Sequence, residues 1–279
     1  MTDMPGAAPS NTIRVGFIGL GSQGGPMAER ILAVGHPLTV WARRAEVLEP
    51  FVVQGAIAAG SIAELGGACD VIGVCVIDDA GVLAVCDELV PAMRPGSLLA
   101  IHSTILPESC EALAARCAAG GIHFLDAPVS GGGQAAAAGT LTVMCGGGAD
   151  AFARAKPVFE SFAGTVVHLG PAGSGQRAKI VNNALMAANM GLAHAALAAG
   201  EALGIERKAL AELIKVSSGR SFGFEVYARL PSPQAFAHGA PLLVKDVKLL
   251  GAVLLGHAGV ATLRDAASGF LAAATGQDI

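Results

Sequence analysis

The sequence predicts an α/β domain built on a doubly wound parallel sheet, followed by an all-α domain that one long interdomain helix opens. Three observations predict it. Short apolar runs alternate with helical patterns up to about residue 170, the signature of a parallel sheet covered by helices on both faces. Strand signals then stop. From residue 176 to 203 there is no proline, which predicts a single helix near ~42 Å long at ~1.5 Å per residue.

The elements follow in order. Residues 14–19 form a short apolar run ending in Gly19, a buried strand. Met27, Ile31 and Val34 recur at spacings of four and three, which predicts a helix over 26–34 that Gly35 stops. Residues 38–41 are a second strand, ending in Ala42-Arg43-Arg44. A helix over 45–54 and a strand over 57–59 come next. Ser61 with Glu64 three residues on is a capping-box pair and starts the next helix. Strands over 70–77, 97–102 and 122–126 alternate with helices over 80–89 and 107–119. A strand over 140–145, a helix over 150–162 and a last strand over 166–169 close the domain. After a loop at 171–175 and the long helix, helices are expected over 207–217, 222–230, 242–255 and 263–273. The division is expected near residue 170, giving an α/β domain over 1–170 and an all-α domain over 171–279. No internal repeat is visible.

Composition bounds the function. Fifty-three per cent of the 279 residues are apolar and 14% charged, which excludes intrinsic disorder. A net charge of −4 gives no basic surplus for a phosphate backbone, so a nucleic-acid partner is not expected. Mean hydropathy of +0.57 raises a membrane question. The best candidate span, 180–199, contains Asn182, Asn183, Asn189 and His194, which are costly at mid-membrane, so it is read as a buried helix. The Pro/Ser/Ala-rich start, Met1 to Asn11, has neither the basic nor the apolar region of a secretory signal. The six cysteines form no C-x-x-C pair and no metal spacing. They read as buried thiols of a reducing cytoplasm, with no metal.

After the first strand comes Gly19-Leu20-Gly21-Ser22-Gln23-Gly24, then a helix. In this strand–turn–helix setting G-x-G-x-x-G is a Rossmann-type dinucleotide fingerprint. Gly19 permits the tight turn, Gly21 the approach of a pyrophosphate, and Gly24 close helix–strand packing. A cofactor with a free ribose 2′-hydroxyl calls for an acid at the end of the second strand. Arg43 and Arg44 stand there instead, and cations pair with a 2′-phosphate, which favours NADPH/NADP+ over NADH/NAD+.

Four blocks, in this order and spacing, carry a family resemblance: residues 19–28; Asp126-Ala-Pro-Val-Ser-Gly-Gly132 running on to Leu141; residues 173–183; and Lys245-Asp246. With them the chain resembles the β-hydroxyacid dehydrogenases over about residues 13–275. This group contains 3-hydroxyisobutyrate dehydrogenase, tartronate semialdehyde reductase and 6-phosphogluconate dehydrogenase. The resemblance implies that Lys179 is the proton donor and acceptor at the substrate oxygen and that Asn183 hydrogen-bonds substrate. It implies that Ser130, Gly131 and Gly132 hold the substrate carboxylate. Ser103 and Thr104 would lie near the nicotinamide, Val76 and Ile77 against the cofactor, and Lys245 near both cofactor and substrate. It also implies a homodimer or homotetramer. Arg220, in the segment 217–222, either clamps a substrate carboxylate or faces solvent.

Physical chemistry is consistent with these assignments. Lys179 and Asn183 are i and i+4 on the long helix, on one face, with Asn182 bordering it. A lysine desolvated among alanines has a lowered pKa, suited to general acid–base work. His102 either lines the cofactor or is structural; His168 and His194 read as structural. Departures from the family pattern are Gln23 for Met, Ala42 for Asn, Ile101 for Asp and Ala135 for Gly. None removes a reacting group. The expected activity is interconversion of a small 3-hydroxy acid and its semialdehyde. Imine reductases share the fold but usually carry Asp or Tyr at the Lys179 position. The 6-phosphogluconate branch is much longer, and a non-catalytic nucleotide-binding module would tend to lose the lysine.

Overall fold

The computed structural model describes residues 13–277; the stretch Met1 to Asn11, expected to carry no secretory signal, lies outside them. The first half alternates β1 (Val15–Ile18), α1 (Gly24–Ala33), β2 (Leu38–Trp41), α2 (Glu49–Val53), β3 (Ile57–Ala58), α3 (Ile62–Ala68), β4 (Val71–Val74), α4 (Asp79–Ala92), β5 (Leu98–Ile101) and α5 (Pro107–Ala119). There follow β6 (His123–Asp126), β7 (Val129–Ser130), α6 (Gly132–Ala138), β8 (Leu141–Gly147), α7 (Ala149–Phe159) and β9 (Ala163–His168). The rest is helical: α8 (Ser174–Ala202), α9 (Arg207–Lys215), α10 (Phe222–Ala228), α11 (Ala240–Val253) and α12 (Ala258–Thr275). Packing divides the chain into two compact units, one ending at Lys179 and the other starting at Ile180, inside α8.

In the first unit the strand order is β3-β2-β1-β4-β5-β6, all parallel. This is the doubly wound order with its switch point between β1 and β4. The parallel sheet expected from the alternating segment is present through β6, and beyond it the sheet is mixed. There β8 runs antiparallel to β6 and to β7, while β9 is parallel to β8. The pairs Leu125–Gly147, Asp126–Gly146, Val129–Val143 and Ser130–Thr142 keep one register. Thus β6 and β7 are one line of chain, interrupted at Pro128, which has no N–H to give. Its carbonyl still accepts from Met144 N at 3.0 Å.

Side chains alternate across the sheet with the period of two. Val15, Phe17 and Val40 pack under α1 and α7, against Met27, Ile31, Val158 and Phe159. Ile18, Ile72, Val74 and Leu99 pack under α3, α4 and α5, against Leu65, Cys86 and Leu113. The expected 45–54 helix is broken at Leu48: a 3-10 turn covers Ala45–Val47, and α2 restarts with Pro50 in its first turn. Proline is well tolerated there. Ser61 Oγ accepts from Glu64 N at 3.1 Å, and Glu64 Oε2 accepts from Gly60 N at 2.7 Å.

The second unit is built on α8. Ile180, Ala184, Ala187, Met190, Ala193 and Leu197 recur at helical spacing and pack with Phe224, Tyr227, Leu250 and Phe270. Tyr227 lies edge-on to Phe270 and to His194, whose Nδ1 is 2.7 Å from the Tyr227 hydroxyl. Val181, Leu185 and Leu192 of α8 are exposed, so the helix is not buried all round. Among the described residues, no helix is long and apolar enough to cross a membrane.

Candidate active site

The carboxyl ends of β1, β4 and β5 gather most of the residues expected to hold the nucleotide. Gly19 leaves β1 with φ +98, where a Cβ would strike the Cys75 carbonyl. Gly24 opens α1, and a Cβ there would strike the Gly19 carbonyl. Gly21 is exposed, and a Cβ built on it meets nothing within 4 Å. The turn is therefore closed on its inner side and open on its outer side, a cradle that fits a dinucleotide pyrophosphate. Leu20 packs inward on the core, while Ser22 is exposed. Gln23 is the N-cap residue of α1 and makes no side-chain cap bond. The first-turn N–H groups and the positive dipole end thus stand at the cradle. Arg43 and Arg44 follow β2 and are exposed; Arg44 Nε is 3.8 Å from Glu46 Oε1.

The expected strand over 70–77 is shorter. It ends at Val74, so Val76 and Ile77 lie in the connection to α4, with Ile77 exposed. The parallel ladder with β1 ends there, and Val76 N donates instead to Ser103 Oγ at 2.8 Å. Ser103 is buried and Thr104 half-buried in the loop after β5. His102 is buried in the core: its ring stacks on Phe17, and its Nδ1 is 2.8 Å from the Ala127 carbonyl. Burial pulls its pKa down to about 4, the carbonyl bond opposing. It is therefore neutral and structural.

Ser130 ends β7, and Gly131 (φ +131) leads into α6. Gly131 is the N-cap of α6 and Gly132 its first residue, so the Ser130-Gly131-Gly132 stretch runs from the end of β7 into a short helix that is not among the elements expected from the sequence. The run Ala135–Ala138 favours helix, and Gly139 in the left-handed conformation ends it. A Cβ on Gly133 would strike the Ser22 carbonyl, so the first turn of α6 rests directly on the dinucleotide turn.

Asp126, at the end of β6, is fully buried. Its Oδ1 accepts from Gly173 N at 2.7 Å and its Oδ2 from Gln176 N at 2.8 Å, at the start of α8. Burial raises its pKa, opposed by these backbone bonds. The Gln176 side chain is also fully buried: Oε1 accepts from Ile105 N at 3.1 Å and Nε2 donates to Ser103 O at 2.8 Å. Lys179, one turn further along α8, is 7% exposed. Asp126 and Gln176 fall inside the family blocks, yet the sequence alone gives neither a role. A lone acid ending an apolar strand is the available signal.

Within the second unit, Asn183 Nδ2 donates to Asp246 Oδ2 at 2.6 Å, and Asn183 Oδ1 accepts from Asn182 Nδ2 at 3.2 Å. Lys245 Nζ is 3.8 Å from Asp246 Oδ1. The structure thus joins Asn183 to the Lys245-Asp246 pair of α11. Arg220 lies exposed in the turn between α9 and α10, outside this group. Five of the six cysteines are buried and Cys75 is half-buried; burial pushes Cys75, Cys86 and Cys145 up to about 12, which holds them as thiols.

Comparisons with known proteins agree over both units. A family model described as the NAD binding domain of 6-phosphogluconate dehydrogenase matches residues 14–170. Another, described as NAD-binding of NADP-dependent 3-hydroxyisobutyrate dehydrogenase, matches 173–278. The chain is 38% identical over 255 residues to an NAD-dependent L-serine dehydrogenase of Pseudomonas aeruginosa, covering 85% of this chain and 83% of that one. The solved structure of Mycobacterium tuberculosis 3-hydroxyisobutyrate dehydrogenase with L-serine superposes with a TM-score of 0.83 at 28% identity, covering 93% and 92% of the two chains. That of Psf3 in complex with NADP+ and 2-OPP gives 0.79 at 30% identity, covering 92% of each.

Proposed function

Since the chain belongs to the β-hydroxyacid dehydrogenase family and is an NAD(P)-dependent hydroxyacid dehydrogenase, we propose that it interconverts a small 3-hydroxy acid and its semialdehyde with NADP(H), using Lys179 as general acid and base. The observation that carries this is the placement of Lys179: a buried amine on the first turns of α8, whose base is hydrogen-bonded to the Ser103 loop beside the dinucleotide cradle.

A nicotinamide cofactor, when bound, would supply or take up the hydride. Lys179 gives its proton to the carbonyl oxygen in reduction and takes it from the hydroxyl in oxidation. Asn183 uses one amide N–H on Asp246, and the other is the donor to a substrate oxygen. Ser130, with the Gly131 and Gly132 backbone, is the carboxylate-holding element, and Lys245 supplies a positive charge to cofactor and substrate; Arg220 is a further candidate for the carboxylate. Gly19 to Gly24, Val76, Ile77, Ser103 and Thr104 hold the cofactor.

Preference for NADP(H) rests on Arg43 and Arg44 in place of an acid. The NADP-dependent family description and the NADP+ complex of Psf3 support it; the NAD-dependent L-serine relative counts against it. The exposed Val181, Leu185 and Leu192 on α8 fit a homodimer or homotetramer, and the thiols fit a cytoplasmic setting. The test is initial-rate turnover of a panel of C3–C4 semialdehydes and 3-hydroxy acids with each cofactor. Turnover of at least one such pair, faster with NADPH, is expected. Turnover of a cyclic imine with no aldehyde activity would overturn the proposal.

A further inference from the structure

We propose that Gln176 is a positioning residue: it locks the base of α8, and with it Lys179, to the loops that follow β4 and β5. This rests on the proton-transfer role given to Lys179 above. Gln176 and Lys179 are i and i+3 on one helix, so fixing the first sets the height and rotation of the second. The Gln176 amide spends both ends on one loop, accepting from Ile105 N at 3.1 Å and donating to Ser103 O at 2.8 Å. Ser103 in turn accepts from Val76 N at 2.8 Å through its hydroxyl. The Gln176 backbone N–H is held by Asp126 Oδ2 at 2.8 Å, and Asp126 Oδ1 holds Gly173 N at 2.7 Å. A continuous set of hydrogen bonds therefore runs from the end of β4, through the end of β5, to the first turn of α8, with the end of β6 closing it.

Solubility and capping do not require such a residue. Gln176 is fully buried, and α8 already has the Asp126 carboxylate at its first N–H groups. What the side chain adds is a pair of bonds to the Ser103–Ile105 segment, 71 to 73 residues before Gln176 in sequence, whose Ser103 hydroxyl holds Val76 N. Displacement of a reacting group by about 1 Å costs roughly 10²-fold in rate.

The test uses the full chain and the variants Gln176→Met, Gln176→Glu, Lys179→Ala and the double variant Gln176→Met/Lys179→Ala. Met removes both hydrogen bonds at similar volume; Glu keeps the acceptor for Ile105 N–H and loses the donor to Ser103 O. Gln176→Met is expected to lower kcat by about 10²-fold with little change in substrate KM. In the Lys179→Ala background it is expected to add almost nothing, because coupled residues are non-additive. In the cofactor-free protein, the rate at which an amine reagent labels Lys179, read by mass spectrometry, should rise several-fold in Gln176→Met. Equal losses in both backgrounds, or unchanged Lys179 labelling, would overturn the inference. Should Gln176→Met not fold, Gln176→Glu is measured in the same ways, and the same outcomes support or overturn the inference. If Lys179→Ala alone retains wild-type turnover, the proton-transfer role fails, while the labelling rate still decides whether Gln176 positions the lysine.

Discussion

Replacing Arg43 and Arg44 together by serine should remove the proposed preference for NADPH without harming the use of NADH. Both side chains are exposed just beyond β2. Arg44 has an ion pair with Glu46 at 3.8 Å, with the two side chains 75% and 70% exposed. Such a pair contributes at most about 1 kcal/mol, so it does not hold Arg44 back from a phosphate. A charge-assisted hydrogen bond contributes about 1.5–3 kcal/mol, and water around these arginines limits the two to about one such bond between them. At ~1.4 kcal/mol per tenfold, kcat/KM for NADPH should fall by about 10- to 150-fold. That for NADH should stay within about threefold of wild type, since its 2′-hydroxyl has no charge to lose. The assay is initial rates against each cofactor at a fixed saturating semialdehyde. Raising salt should weaken wild-type NADPH use and leave the variant nearly unaffected, because exposed charges are screened. Equal losses with both cofactors, or no loss with NADPH, would mean that the arginines do not read the 2′-phosphate.

His102 makes the first unit acid-sensitive. Its pKa falls from the ordinary 6.5 to about 4 on folding. The unfolded chain binds the proton first, so the contribution is complete above pH 6.5, is lost as pH falls toward about 4, and is flat below. At ~1.4 kcal/mol per pH unit the loss is about 3 kcal/mol. Denaturant midpoints of wild type and His102→Phe, compared at pH 7 and 4.5, should show the smaller drop in the variant. Asp246→Ala should lower kcat/KM by roughly 5- to 100-fold, since Asn183 loses the partner that orients its amide. Asn183→Ala should do at least as much, and the two together little more; additive losses in a double-mutant cycle would separate them.

The glycine-rich turn between β1 and α1 was legible in the sequence because its glycines sit where strand meets helix, and Gly19 and Gly24 are closed in by backbone carbonyls. Helix starts with side-chain caps, such as Ser61, were legible for a similar local reason. The direction of β8 was not. The apolar run of β8 reads the same either way, and its reversal follows from the pairing of Asp126 with Gly146. Three consecutive glycines hid α6, although Ala135–Ala138 carried its helix signal. Val76 and Ile77 read as strand because they are β-branched, while β4 stops where the Ser103 hydroxyl takes the Val76 N–H. The bonds that hold the base of α8 join Asp126, Ser103 and Ile105 to Gln176 across 50 to 73 residues. Only the packed sheet brings those positions together.

Whether Lys179 moves the proton is decided by a single turnover. Lys179→Ala is preloaded with NADPH and mixed with the best semialdehyde, and the loss of nicotinamide absorbance is followed. The chemical step should be slower by about 10²- to 10⁴-fold, with NADPH affinity close to wild type. A single-turnover rate equal to wild type would mean that another group carries the proton.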